Sequence, residues 1–164
     1  MDSMVKIYLQ RALNEISIAK LLFDVSNSKD KKEEFHIEEE MTFYSAVISH
    51  SYYSIFYSAK AILLTKNIKT EMPDVHKKTY EKFKENFVDS GVLDIELLRI
   101  YRKMIIRADE LLQIFKDEKW KRGHFTYQTI PQANKDPANQ SIKNAMNFLG
   151  NIKDIIEPTK TIDI

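Results

Sequence analysis

Cysteine is absent from the chain, which removes disulfides, thiol nucleophiles and thiolate metal sites together and agrees with an intracellular life. Glycine is scarce, with three residues, and proline little better, with four. So few scattered glycines cannot build a phosphate-cradling loop, a Walker motif or a nucleophile elbow. Neither sign of charge prevails: 25 lysines and arginines stand against 24 aspartates and glutamates. No global field therefore draws the molecule to nucleic acid or to an anionic membrane, and any contact with a polyanion must be local. Apolar runs fall well short of the roughly 18 residues of a membrane span. The opening MDSMVKIYLQRALNE is interrupted by charge where a secretion signal would carry an apolar stretch. These absences predict a cytoplasmic, membrane-free protein. A length of 164 residues predicts one domain, with a core at about 5–157 and a frayed tail at 158–164, because a chain of this size buries roughly 70% of its unfolded surface in one core.

What is present favours helix throughout: lysine, glutamate, leucine, isoleucine and alanine are plentiful. Val5, Leu9, Ala12, Leu13, Ile16, Ala19 and Phe23 recur at helical spacing, with Lys6, Arg11, Glu15 and Lys20 elsewhere on the wheel. The charged SNSKDKKEE inside 26–40 reads as a solvated connection. A second helix is expected from about His36 to Lys66, and it contains SHSYYSIFYSAKAIL, residues 49–63. There Phe43, Val47, His50, Ser54, Tyr57, Ala61 and Leu64 alternate steps of four and three, beside an edge of Tyr44, Ile48, Ile55 and Ile62. So wide an apolar face suits a central helix touched by several partners. Ser51, Ser54 and Ser58 make a small-residue strip whose hydroxyls can bond back to carbonyls one turn earlier.

Asp74 is expected to cap a short third helix, with His76, Tyr80, Phe83 and Phe87 on one face and Ser90–Gly91 closing it. Asp94 caps a fourth, where Leu97, Tyr101, Met104, Ala108, Leu111 and Phe115 form a packing seam. KWKRGHFTYQTIPQANK then breaks the pattern at Gly123 and Pro131. It is longer than the roughly two to eight residues that usually join helices in a bundle, and such loops are often functional. Asp136 and Pro137 offer a cap and a first-turn proline. Ile142, Ala145, Met146, Leu149, Ile152 and Ile156 make the inner stripe of a last helix that Pro158 ends. The expected fold is therefore all-α, a bundle of four long helices plus a short fifth.

Few constellations carry chemistry. A di-metal carboxylate bundle needs Glu-x-x-His pairs facing inward from two helices; two such pairs are not present, so no metal and no cofactor are expected. His50 and His76 stand among aromatics and read first as core histidines satisfied by one hydrogen bond. Lys60 reads either as the snorkelling end of the aromatic helix or as an anion contact. Between Lys116 and Tyr127, the cations Lys116, Lys119, Lys121, Arg122 and His124 interleave with Trp120, Phe125 and Tyr127. Cations can meet phosphates while rings stack on bases, which suits a nucleotide or a single strand. The same composition also suits a solvated helix end, with lysines offsetting the C-terminal dipole.

Taken in order, three segments resemble a known family. AVISHSYYSIFYSAKAILL (Ala46–Leu64) resembles the second helix of HEPN domains, and DVHKKTYEKFKENFVDSGVLD (Asp74–Asp94) their third helix with its closing glycine. RGHFTYQ followed by SIKNAMNFLGNIKDII resembles the basic-then-tyrosine element and the last helix. The resemblance implies an up-and-down bundle that forms homodimers and is encoded beside a small nucleotidyltransferase. Some HEPN proteins are metal-independent ribonucleases or toxins, with an arginine followed after four to six residues by a histidine. Here Arg11, Arg99, Arg102, Arg107 and Arg122 all lack a histidine at that distance. Tyr127 stands where one would follow Arg122, and a phenol titrating near pH 10 is a poor general base at neutral pH. The expected function is thus non-catalytic: binding of a nucleotide, a nucleic-acid phosphate or a nucleotidyltransferase partner through Lys121, Arg122, His124 and Tyr127. Lys60, Tyr53 and His50 on the second helix are further ligand-binding candidates. Two alternatives stand beside it. One is an atypical ribonuclease or toxin component using Arg122 and His124; the other is a purely structural dimerisation domain.

Overall fold

The computed structural model describes residues 2–120 and 134–158, apart from the side chains of Arg107 and of residues 110–120. Its helices are α1 (Ser3–Asn27), α2 (Lys29–Glu34), α3 (Tyr44–Thr65), α4 (Val75–Phe83), α5 (Ile95–Trp120) and α6 (Lys135–Ile156). A π-helical turn, Lys84–Val88, extends α4. The described residues contain no strand. The fold is all-α, as expected, with α1, α3, α5 and α6 the long helices and α4 the short one; α2 is an addition.

Burial on α1 follows the sequence period: Val5, Leu9, Ala12, Ile16 and Ala19 are all buried. Asp2 caps the helix, its carboxylate accepting from the Met4 N–H at 2.9 Å. The two helices α1 and α3 run antiparallel, since Tyr8 meets Tyr57, Glu15 meets His50, and Ser26 Oγ accepts the Phe43 N–H. Helix α3 is the centre of the bundle and touches α1, α4, α5 and α6. Its small-residue strip is fully buried at Ser51, Ser54 and Ser58. Ser51 donates to the Val47 carbonyl at 2.8 Å and Ser58 to the Ser54 carbonyl at 2.7 Å. The Ser54 hydroxyl has no hydrogen-bond partner among the described residues, so the back-bonding expected of all three serines holds for two.

Three boundaries depart from the sequence reading. Helix α3 begins at Tyr44 rather than near His36. His36 adopts a left-handed φ of 54° that ends the α2 segment, and the next residues are tied down as a loop by Lys32 Nζ, which donates to the Glu39 carbonyl at 2.6 Å. Asp74 does precede α4, but in a left-handed conformation (φ 60°) and with no capping bond from its side chain. Asp136 lies inside α6, whose N-cap position is taken by Asn134; Pro137 still falls in the first turn, where its missing N–H leaves no helical bond unmade. Two other signals act as read. Asp94 accepts the Glu96 N–H at 2.8 Å. Gly91 closes the α4 segment with φ +76°, a conformation that a Cβ disfavours.

The packing seam of α5 is buried at Leu97, Tyr101 and Met104, with Ala108 partly covered. On α6, Ile142, Ala145, Leu149 and Ile152 face inward, but Met146 is 46% exposed and Phe148 fully buried in its place. Phe148 belongs with Phe83, Phe87 and Tyr101 to a closed aromatic cluster, with ring centroids 5.3 to 6.2 Å apart.

Candidate functional site

Where α4 and α5 diverge from α3 they leave a cleft of about 760 Å³, well within the size range of small-molecule sites. Helix α3 supplies Tyr52 and Tyr53, α4 supplies His76, Lys77 and Tyr80, and α5 supplies Arg102, Ile105, Ile106 and Asp109; Lys84 stands in the π turn. The adjacency of Tyr52 and Tyr53 fixes the layout. Neighbours on a helix point about 100° apart, so one ring is driven inward and the next to the rim. Tyr52 is accordingly 8% exposed and Tyr53 38%. Their centroids lie 5.5 Å apart.

His76 closes this end of the cleft. Its ring lies 4.3 Å from that of Phe56 and 5.7 Å from that of Tyr52, and its Nδ1 is 2.7 Å from the Tyr52 hydroxyl. Burial pushes the Tyr52 phenol far up, helped by the neighbouring Tyr53 and the Asp109 charge. His76 is held below its ordinary value of 6.5 by desolvation and by the Lys60 charge, against a smaller opposite pull from Asp109. Both partners are therefore neutral at pH 7. One proton thus lies between the phenol oxygen and Nδ1, carried by either partner according to the imidazole tautomer, and Nε2 is the ring nitrogen that this bond leaves unengaged.

The cations of the cleft are not equally free. Lys84 is engaged with Asp89 at 2.8 Å, and Lys77 lies 4.0 Å from Glu81. Arg102 is exposed and makes no ion pair among the described residues, so its planar fork of donors is available to a phosphate or carboxylate. Asp109 adds an acceptor of the kind that can take a ribose hydroxyl.

A second, shallower groove of about 560 Å³ lies on the other side of Phe56, lined in part by Tyr8, Arg11, Tyr57, Lys60 and Glu71. The Tyr8 and Tyr57 rings stack at 6.0 Å. Arg11 lies 5.6 Å from the Tyr57 centroid, and Lys60 lies 5.0 Å from that of Tyr8, within reach of cation–π attraction. Lys60 also donates to the Thr70 carbonyl at 3.1 Å, which anchors the loop before α4. Glu15, one turn beyond Arg11, has the i,i+4 spacing for an ion pair with it. It bonds His50 Nδ1 at 2.6 Å instead.

The candidates on the second helix thus take different places. Tyr53 lines the cleft, Lys60 lines the groove, and His50 pairs with Glu15 on the α1 side, outside both. Lys121, Arg122, His124 and Tyr127 lie outside the described residues; of the basic and aromatic segment that contains them, only the backbone of 116–120, the end of α5, is described. Tyr52, His76 and Arg102 escaped the sequence reading as a set. The one available signal was the aromatic run beside His76, since nothing in the spacing links Arg102 to either. Among the described residues no group of three or more His, Asp or Glu side chains could hold a metal ion, and no helix is long and apolar enough to cross a membrane.

Two proteins of Methanocaldococcus jannaschii are similar to the chain. One, named "Putative toxin MJ0142", is 35% identical over 80 residues, 49% of this chain and 50% of that protein. The other, named "Putative toxin MJ0605", is 27% identical over 149 residues, 91% of this chain and 86% of that protein. The chain thus spans half the length of the first relative and most of the second. No protein-family model matches it.

Proposed function

We propose that this protein is the toxin-like member of a toxin–antitoxin pair, and that it acts by binding a nucleotide unit of RNA in the cleft between α3, α4 and α5. The carrying observation is the meeting in one cavity of the exposed Tyr53 ring, the guanidinium of Arg102, which makes no ion pair among the described residues, and the imidazole of His76. The ring offers stacking surface for a base, Arg102 holds the phosphate by paired donors, and Asp109 accepts from the ribose. The resemblance of the helices to HEPN domains and the similarity to two proteins bearing a toxin name both support this reading. From the resemblance alone we infer the partners: a second copy of the chain, and a small nucleotidyltransferase as antitoxin.

Calorimetric titration with AMP, UMP and a short RNA tests the proposal. Saturable binding is expected, weakened about tenfold or more in Arg102→Ala, because a lost charge-assisted hydrogen bond removes roughly 1.5–3 kcal/mol. Flat titrations with all three ligands would end it.

A second reading, a metal-independent ribonuclease, is favoured by one observation: Arg102 and His76 line the same cleft from different helices, a juxtaposition that no motif based on sequence spacing detects. The bond between Tyr52 and Nδ1 weighs against it, because it leaves His76 a single free nitrogen for proton transfer. Labelled RNA incubated with the wild type and with His76→Ala separates the two readings. Intact RNA in both samples supports binding; cleavage lost in the variant replaces it with catalysis.

A further inference from the structure

The cleft and the groove are joined by a continuous line of rings. From Tyr8 the line passes to Tyr57 at 6.0 Å, from Tyr57 to Tyr53 at 6.3 Å, and from Tyr53 to Tyr52 at 5.5 Å. Phe56 lies beneath it, 5.4 Å from Tyr57 and 4.3 Å from His76. Each end of the line carries cations: Arg102 in the cleft, and Arg11 with Lys60 in the groove.

Arg11 is exposed and has no carboxylate partner among the described residues. The reason is structural: Glu15, the carboxylate that helical spacing places beside it, is held by His50 at 2.6 Å. The His50–Glu15 pair thus leaves a guanidinium unneutralised next to two stacked tyrosines. Glu71 also lines the groove, so a ligand there must bring its negative charge to the Arg11 side.

We infer that the groove is a second anion subsite, in which Arg11 and Lys60 hold the phosphate of a neighbouring nucleotide, so that the ligand is a single-stranded RNA lying across the tyrosine line rather than a free mononucleotide. The inference rests on the proposed function of the cleft and names its substrate class. A mononucleotide fills one end of the line and leaves the other two cations without an anion. A strand that lays a base on Tyr53, the exposed ring of the line, meets cations at both ends, the combination of ring and flanking charge that single-strand binders use without base-specific contacts.

The test is fluorescence anisotropy with labelled oligouridylates (di-, tetra- and octanucleotide), set beside calorimetry with UMP, on the full chain. The expected result is an affinity that climbs with length. Arg11→Ala should weaken the octanucleotide about tenfold and leave UMP unchanged, while Arg102→Ala weakens both. The salt dependence of octanucleotide binding should flatten in Arg11→Ala by about 0.7 in the slope of log K against log salt for each phosphate that the variant no longer neutralises. Circular dichroism melts check that the variant folds, and Arg11→Lys should restore part of the affinity. Suppose UMP binds in an Arg102-dependent way, but the octanucleotide binds no tighter than the dinucleotide or ignores Arg11→Ala. The strand is then refuted while the cleft stands. If neither UMP nor any oligomer binds, both fall together.

Discussion

Among the described residues two aromatic clusters are built from the same residue types, and they serve opposite ends. Phe83, Phe87, Tyr101 and Phe148 form one that is closed, each ring no more than 2% exposed. Tyr8, Tyr52, Tyr53, Phe56, Tyr57 and His76 form the other, which opens on solvent at Tyr53 and His76 and has Arg11, Arg102 and Lys60 along its rims. Ring spacings hardly differ, 5.3–6.2 Å in the closed cluster and 4.3–6.5 Å in the open one. What separates core from site is therefore the covering, together with the cations that the covering leaves uncovered. Edge-to-face rings stabilise either cluster; only the open one can exchange its water for a ligand.

The sharpest way to break this comparison is to delete one ring from each cluster. Phe83→Ala should lower stability by about 3–5 kcal/mol, the usual cost of emptying a buried phenylalanine site. Tyr53→Ala removes a half-exposed ring and should cost only about 1–2 kcal/mol, while weakening ligand binding. Urea denaturation of both variants checks this, and comparable losses would mean the open cluster is simply more core.

Next in size is the bond that gives the open cluster its polar end. Tyr52→Phe removes the hydroxyl that bonds His76 Nδ1 and should cost about 0.5–1.5 kcal/mol, measured by the same denaturation. A larger loss would show that the pair acts as a structural clamp.

Acid offers a finer probe. His76 is held below 6.5 in the folded chain, so as pH falls the unfolded chain takes up this proton first. The contribution is complete above about pH 6.5 and is lost progressively as pH drops through the lowered value. Urea midpoints followed from about pH 7.5 to about pH 5 should decline less in His76→Phe, which keeps the ring against Phe56 and removes the titration. Equal declines in the two proteins would contradict the assigned protonation.

The smallest effect is expected at Tyr101, in the closed cluster, whose buried hydroxyl has no hydrogen-bond partner among the described residues. Tyr101→Phe removes an unsatisfied polar group and keeps the ring, so stability should change by less than about 1 kcal/mol, with gain the favoured direction. A clear loss would point to a partner for that hydroxyl.

Much of the architecture was legible without coordinates because it is written in local rules. The steps of four and three through Val5, Leu9, Ala12, Ile16 and Ala19 depend only on helical pitch, and so do those through Leu97, Tyr101 and Met104. Gly91 and Asp94 close and open helices through backbone and side-chain chemistry confined to a few residues. The boundaries that moved are those decided at a distance: Tyr44 starts α3 where Ser26 on another helix takes the Phe43 N–H.

The candidate site shows the same division. Tyr53 and Lys60 were singled out by the aromatic helix that carries them. Arg102 and His76 could not be joined to them, because helical periodicity says which residues share a face and is silent on whether another helix covers that face. Nor could spacing foresee that Glu15 would bond His50 and leave Arg11 bare. Pitch, propensity and caps made this chain a set of amphipathic rods. Where those rods diverge, and so which aromatic face stays wet and which cations stay unpaired, depends on packing between residues far apart in the chain.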